Sequence, residues 1–131
     1  MARISGSSDC ADVRAKLDVN GGTTGTIAYW QNTTGKTILV YGLILNITTQ
    51  AGQAGTLDIG VGATSSTSGD TLIDGLSVAS AGVFNNANNG GTNGKFAQKI
   101  AAGEYLTATV ASGSAASLVS DLYFMYGIAN A

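Results

Sequence analysis

Residues 37–48 read TILVYGLILNIT, the longest apolar stretch of the chain, and they decide its fold class. Side chains alternate between the two faces of a β-strand, so a strand here would be apolar on both faces. One face would carry Leu39, Tyr41, Leu43, Leu45 and Ile47, and the other Ile38, Val40 and Ile44. A sheet face in contact with water is polar. We therefore expect both faces to be covered, by another layer of the same domain or by a neighbouring subunit.

The last apolar stretch of the chain, residues 118–128, shows the same two-sided pattern. One face would carry Leu118, Leu122, Phe124, Tyr126 and Ile128. The opposite face would carry Val119, Tyr123 and Met125 beside Asp121. This strand is also expected to be covered on both sides.

Shorter alternating stretches predict that the rest of the chain is β-structure too. They are Val13–Val19, Ile27–Gln31, Thr56–Ala63, Lys95–Ile100 and Tyr105–Val110, with one or two further short strands within residues 70–84. The 19 glycines interrupt every candidate helix. About eight strands at this turn spacing predict a single antiparallel β-sandwich of the jelly-roll kind. We expect residues 1–10 to form an N-terminal arm and residues 11–131 to form the sandwich domain.

The predicted strand over residues 56–63 has an unusual outer face. Its inward positions are aliphatic, whereas the outward positions include Gly60 and Gly62. Glycine in a strand often marks a place where another stretch of backbone approaches closely. These two glycines therefore predict a flat strip of backbone that another chain can approach closely.

Composition excludes several functional classes. Hydrophobic residues make up 44% and charged residues 11% of the chain, the reverse of a disordered composition. The net charge is −2, and the six basic residues are spread from Arg3 to Lys99, so no phosphate-binding patch for nucleic acid is expected. Residues 1–10 lack the apolar segment of a secretory signal, and no stretch reaches the roughly 20 apolar residues of a spanning helix. We expect no nucleic-acid or membrane partner.

Catalysis is not expected, because the chain has no histidine. This absence removes the commonest general base and every Ser-His or Cys-His nucleophile pair. The single cysteine, Cys10, has no base nearby in sequence and is expected to be an incidental thiol. The carboxylates that a glycosidase would require are instead expected to be surface charges. They are Asp58, Asp70, Asp74, Glu104 and Asp121.

Neither a metal nor a cofactor is expected. Asp70, Asp74 and Asn85 lie in oxygen-rich loops of the kind that can bind calcium. The run from Asp70 to Gly75 nevertheless lacks the spacing of an EF-hand loop. Structural calcium is the minor alternative.

Several phrases of the sequence resemble one group of proteins. They are TLDIGVG at 56–62, DTLIDGL at 70–76, GVFNN at 82–86, GTNGK at 91–95 and AGEYL at 102–106. They are similar to the small β-sandwich structural proteins of tailed bacteriophages, especially capsid decoration proteins, and the resemblance covers roughly residues 25–126. The resemblance implies a jelly-roll-like fold, a place on a virion assembled in the host cytoplasm, and homotrimers that bind the major capsid protein. It implies no catalytic residue.

Residues that would contact a neighbouring subunit or the capsid follow from the apolar second faces and from the arm. They are Arg3, Ile4, Ile38, Val40, Ile44, Tyr123 and Met125. The alternative is that Ile38, Val40 and Ile44 lie beneath a loop of the same domain.

Two other functions stay open at this point. A head-fibre or tail-tip domain could have the same fold. A carbohydrate-binding jelly-roll module is the alternative from another class, because Tyr29 and Trp30 are adjacent and would face opposite ways on a strand. Trp30 is expected in the core.

Overall fold

The computed structural model describes residues 13–129, which form nine β-strands in two antiparallel sheets. In chain order they are β1 (Val13–Asp18), β2 (Gly25–Gln31), β3 (Ile38–Thr49), β4 (Gly55–Gly62), β5 (Ile73–Ser77), β6 (Gly82–Asn85), β7 (Ala97–Ile100), β8 (Tyr105–Gly113) and β9 (Val119–Ile128). Between residues 13 and 129 there is no helix long and apolar enough to cross a membrane.

The order of the strands is that of a jelly roll. Sheet A has the order β1-β9-β3-β6, with β7 also paired to β3, and sheet B has the order β2-β8-β4-β5. Leaving β7 aside, the chain passes between the two sheets as in an eight-stranded jelly roll. The predicted all-β sandwich is confirmed. The count is nine because residues 70–84 contribute to two strands, β5 and β6, which belong to different sheets.

The core lies between the sheets and contains the inward side chains of both. β9 alternates as predicted, with Leu122 and Phe124 buried among residues of sheet B. The Trp30 ring of β2 lies 5.3 Å from the Phe124 ring and 5.1 Å from the Tyr126 ring, measured between centroids, and so joins the two sheets. Full burial of a side chain such as Leu122 or Phe124 contributes about 1.5–3 kcal/mol to stability, and the partly buried Trp30 packs against them. The prediction that Trp30 lies in the core is confirmed.

A β-bulge in sheet A reverses the faces of β3. Gly42 and Leu43 together stand opposite one residue of β9, Phe124. Gly42 has a φ of +63°, a conformation that glycine adopts without a steric penalty. The extra residue shifts the alternation by one. The buried residues are therefore Ile38 and Val40 before the bulge, and Leu43, Leu45 and Ile47 after it.

Because of the bulge, the prediction was wrong for two of the interface residues. Ile38 and Val40 were expected on the outward face with Ile44, but both have no exposed surface and belong to the core. A partner cannot reach them in the folded domain. Ile44 lies beyond the bulge and does face outward.

The predicted N-terminal arm, residues 1–10, lies outside the described residues. So do Arg3, Ile4 and Cys10, and their predicted roles stay predictions.

Candidate interaction surface

The outer face of sheet A carries most of the large apolar side chains that the described residues leave exposed. Among them, Ile44 is 43% exposed and Tyr123 is 42% exposed. We call this surface the apolar face; its residues are Leu39, Tyr41, Ile44, Val83, Phe96, Val119, Tyr123 and Met125. Scattered single apolar residues are normal on protein surfaces, whereas a contiguous patch marks an interaction site.

Strand pairing brings these residues together from distant parts of the chain. Ile44 of β3 pairs directly with Tyr123 of β9, and Tyr41 pairs with Met125. Directly paired side chains on one face of a sheet lie about 5 Å apart. The Tyr41 ring also lies 6.4 Å from the ring of Phe96, which precedes β7. Five of these residues, Tyr41, Ile44, Phe96, Tyr123 and Met125, therefore form a continuous cluster on sheet A, whereas Asp121 separates Val119 from it.

The bulge opens a shallow apolar depression within this face. Gly42 has no side chain, and a Cβ placed there would meet the Met125 sulfur only at 4.0 Å. The resulting cavity of about 220 Å³ is lined by Arg14, Ala15, Gly42, Ile44, Tyr123, Phe124 and Met125. A side chain of a partner can enter here and bury apolar surface on several sides.

Basic side chains flank the apolar face. The Lys16 ammonium lies 3.4 Å from carboxylate oxygens of both Asp18 and Asp121. The hydrogen bond and charge of Asp121, followed by those of Asp18, raise the pKa of Lys16. In contrast, Arg14 and Lys99 form no ion pair with any described residue. No carboxylate within residues 13–129 pairs with either of these two cations.

The outer face of sheet B is partly covered by the chain itself. The loop after β4 folds back over this strand, and the Thr107 hydroxyl donates a hydrogen bond of 2.9 Å to the Thr67 carbonyl oxygen. A Cβ at Gly60 would lie 2.5 Å from the carbonyl carbon of Gly69, and one at Gly62 would lie 2.7 Å from the Thr67 side chain. The glycine strip is thus contacted closely by a loop of the same chain, whereas another chain was expected there.

The remaining charge on the sheet B side is acidic. Burial raises the pKa of Asp58, and the Asp74 and Asp70 carboxylates raise it further; a hydrogen bond of 2.8 Å from the Gly75 backbone N–H acts in the opposite direction. None of the four strands of sheet B contains a lysine or arginine. The two outer faces of the sandwich therefore differ in both polarity and charge.

Two of the three residues of the calcium alternative, Asp70 and Asp74, bind a common partner, and Asn85 binds a different one. Asn93 binds both aspartates. Its backbone N–H donates a hydrogen bond of 3.1 Å to the Asp74 carboxylate, and its side-chain amide donates one of 2.9 Å to the Asp70 carboxylate. Asn85 instead accepts a hydrogen bond from the Asn88 backbone N–H with its side-chain oxygen. Across residues 13–129, no group of three or more cysteine, aspartate or glutamate side chains is placed to hold a metal ion.

One aromatic pair is present on the outer face of sheet B. Tyr29 is 56% exposed, and its ring meets the Tyr105 ring edge to face at 5.8 Å and 73°. Two rings at this angle do not form a single flat surface on which a sugar ring could stack. Trp30, the other aromatic candidate for sugar binding, points into the core.

The structure brings three of the predicted interface residues together, namely Ile44, Tyr123 and Met125. The other five residues of this surface were not among the predicted interface residues; they are Leu39, Tyr41, Val83, Phe96 and Val119. Leu39 was expected on the opposite face because regular alternation takes no account of a bulge. A glycine within an otherwise continuous strand pattern indicates a bulge, and Gly42 is such a glycine.

Comparison with known proteins finds a similarity in structure. No family model matches the chain, and no curated protein matches it. A chain of the solved structure described as "Capsid of Ralstonia phage GP4" is similar in fold, with a TM-score of 0.65 and 19% sequence identity. The similarity covers 98% of this chain and 93% of that chain. At this identity the likeness establishes the shared fold.

Proposed function

We propose that this protein is a structural component of a bacteriophage virion, most specifically a capsid decoration protein that binds the outside of the shell and stabilises it. The observation that carries the proposal is the apolar face, an exposed hydrophobic surface on one side of a jelly roll. The fold it shares with a chain from the capsid of Ralstonia phage GP4 supports a role in a virus particle.

The proposed role is binding, without catalysis or a cofactor. Its partners are further copies of the chain, as a homotrimer, and the major capsid protein. A trimer holds three docking surfaces at fixed positions, so binding of one surface raises the effective concentration of the other two. Weak individual contacts then add up to stable attachment on a regular shell.

Quantitative mass spectrometry of gradient-purified virions of the source phage tests this proposal. The expected result is hundreds of copies per particle, because a decoration protein covers the whole shell. A few copies per particle would place the protein in a head fibre or at the tail tip. Its absence from the particle would refute a virion role.

A further inference from the structure

We propose that the apolar face is the surface that docks on the shell, and that the partner surface is apolar at its centre with carboxylates on either side. This inference rests on the proposed function and deepens it by naming the docking residues and the chemistry of their partner. Its basis is the distribution of apolar groups and charges on the two outer faces.

The two outer faces are not equivalent as docking surfaces. On sheet A, Ile44 and Tyr123 form a directly paired, exposed apolar row beside the depression at Gly42. On sheet B, the loop that contains Thr67 already occupies part of the outer face. Water leaves apolar surface with a favourable free energy of about 25 cal/mol per Å², so a partner gains most on sheet A.

The charges on either side of the apolar face indicate which chemical groups the partner surface should carry. Arg14 and Lys99 lie on opposite sides of the apolar face, on the strands β1 and β7. Three strand spacings separate β1 from β7, which places the two positions roughly 15 Å apart. Because neither cation is paired with a described residue, carboxylates at a similar separation on the partner would complete two ion pairs. A basic side chain placed opposite Arg14 or Lys99 would be repelled.

The size of the face argues against a simple pair of copies as its occupant. The face extends along β9 from Gly127, opposite Leu39, to Val119, which is roughly 27 Å, and the four strand positions across sheet A span roughly 14 Å. The product is roughly 400 Å², well below the roughly 800 Å² that each partner contributes to a standard stable complex. A repeated shell surface can retain such a contact, since each attached oligomer binds at several points.

Two matched tyrosine substitutions test the assignment of the face. The full-length variants Tyr123→Ser and Tyr29→Ser each remove one exposed tyrosine, from sheet A and sheet B respectively. Each is mixed with source-phage shells assembled without this protein, and the bound fraction is measured by co-sedimentation. Tyr123→Ser is expected to weaken binding at least tenfold, whereas Tyr29→Ser is expected to stay within twofold of the unmodified protein.

Two outcomes would overturn the assignment while leaving the proposed function intact. In the first, Tyr123→Ser binds shells as well as the unmodified protein. In the second, sedimentation shows that this variant dissociates into monomers, which makes the apolar face a contact between copies. If Tyr123→Ser fails to fold, Ile44→Ser takes its place. If the unmodified protein itself does not bind shells, the proposed function fails and this inference with it.

Charge reversal tests the chemistry of the partner. The double variant Arg14→Glu and Lys99→Glu is expected to bind severalfold more weakly at low salt, with the difference shrinking as salt screens the charges. Lys36→Glu is the control, since this lysine lies in the loop between β2 and β3. Unchanged or tighter binding by the double variant would refute carboxylates on the partner.

Discussion

The side-chain oxygen of Asn86 lies 3.1 Å from the backbone nitrogen of Leu43 and accepts its hydrogen bond in the interior of the domain. The bulge at Gly42 interrupts the regular ladder of β3 at this point. The Asn86 amide group also donates to the carbonyl oxygens of Lys95 and Phe96, both at 2.8 Å. One buried side chain therefore satisfies three backbone groups and ties the bulge to the segment before β7.

Replacing Asn86 should destabilise the domain strongly. Asn86→Ala leaves one buried N–H and two carbonyl groups without these partners, which is expected to cost about 2–4 kcal/mol in the free energy of unfolding. Asn88→Ala is the matched control in the same loop, because Asn88 is exposed. Urea denaturation followed by fluorescence measures both. Equal stability of the two variants would show that Asn86 does not hold the bulge.

Two glycines with similar backbone angles should respond very differently to alanine. Gly113 has a φ of +64°, and a Cβ there would lie 2.1 Å from the Ala54 carbonyl oxygen. Gly25 has a φ of +75° with open space around it. Gly25→Ala is expected to cost about 1 kcal/mol from backbone strain alone. Gly113→Ala is expected to exceed about 3 kcal/mol because the strands must also separate. Comparable melting temperatures would contradict the close approach at Gly113.

Ser117 is strained, and relieving the strain should stabilise the protein. It is the one non-glycine residue with a positive φ, 69°, within residues 13–129. Ser117→Gly is expected to raise the free energy of unfolding by up to about 1 kcal/mol, since the relief of strain exceeds the added entropy of the unfolded chain. Ala116→Gly should instead lower it by about 0.5–1 kcal/mol. Thermal unfolding distinguishes the two; a loss of stability in both variants would mean that Ser117 carries no net strain.

The raised pKa of Asp58 predicts how stability depends on pH. Burial, followed by the Asp74 and Asp70 carboxylates, raises this pKa above the value of 3.8 of the free side chain. The folded protein then binds the proton more tightly than the unfolded chain does. The contribution of Asp58 to stability is consequently largest below pH 3.8 and is lost as the pH rises through the raised folded pKa.

Asp58→Asn tests this linkage because it removes the titration and keeps the shape. The variant is expected to be more stable than the unmodified protein at pH 7, by at most about 1 kcal/mol because solvent screens the carboxylates. The difference should shrink towards pH 3. Chemical denaturation across this range measures it, and a difference independent of pH would contradict the raised pKa.

Much of the fold could be predicted from the sequence because strands such as β1 and β9 alternate without interruption. The outward and inward residues of β9 follow from their spacing, which by itself places Tyr123 and Met125 on the outward face. The absence of histidine and the low charge of the chain also favour binding over catalysis. These properties are local, so the order of residues is sufficient to determine them.

Only the tertiary structure decided which apolar residues of β3 remain exposed. The alternation depends on strand register, and a single inserted residue at Gly42 exchanged the two faces, burying Ile38 and Val40 and exposing Leu39. Tertiary structure likewise decided which segment contacts Gly60 and Gly62 of β4, because the loop after β4 folds back over that strand. Both results depend on contacts between residues far apart in the chain, and local periodicity carries no information about such contacts.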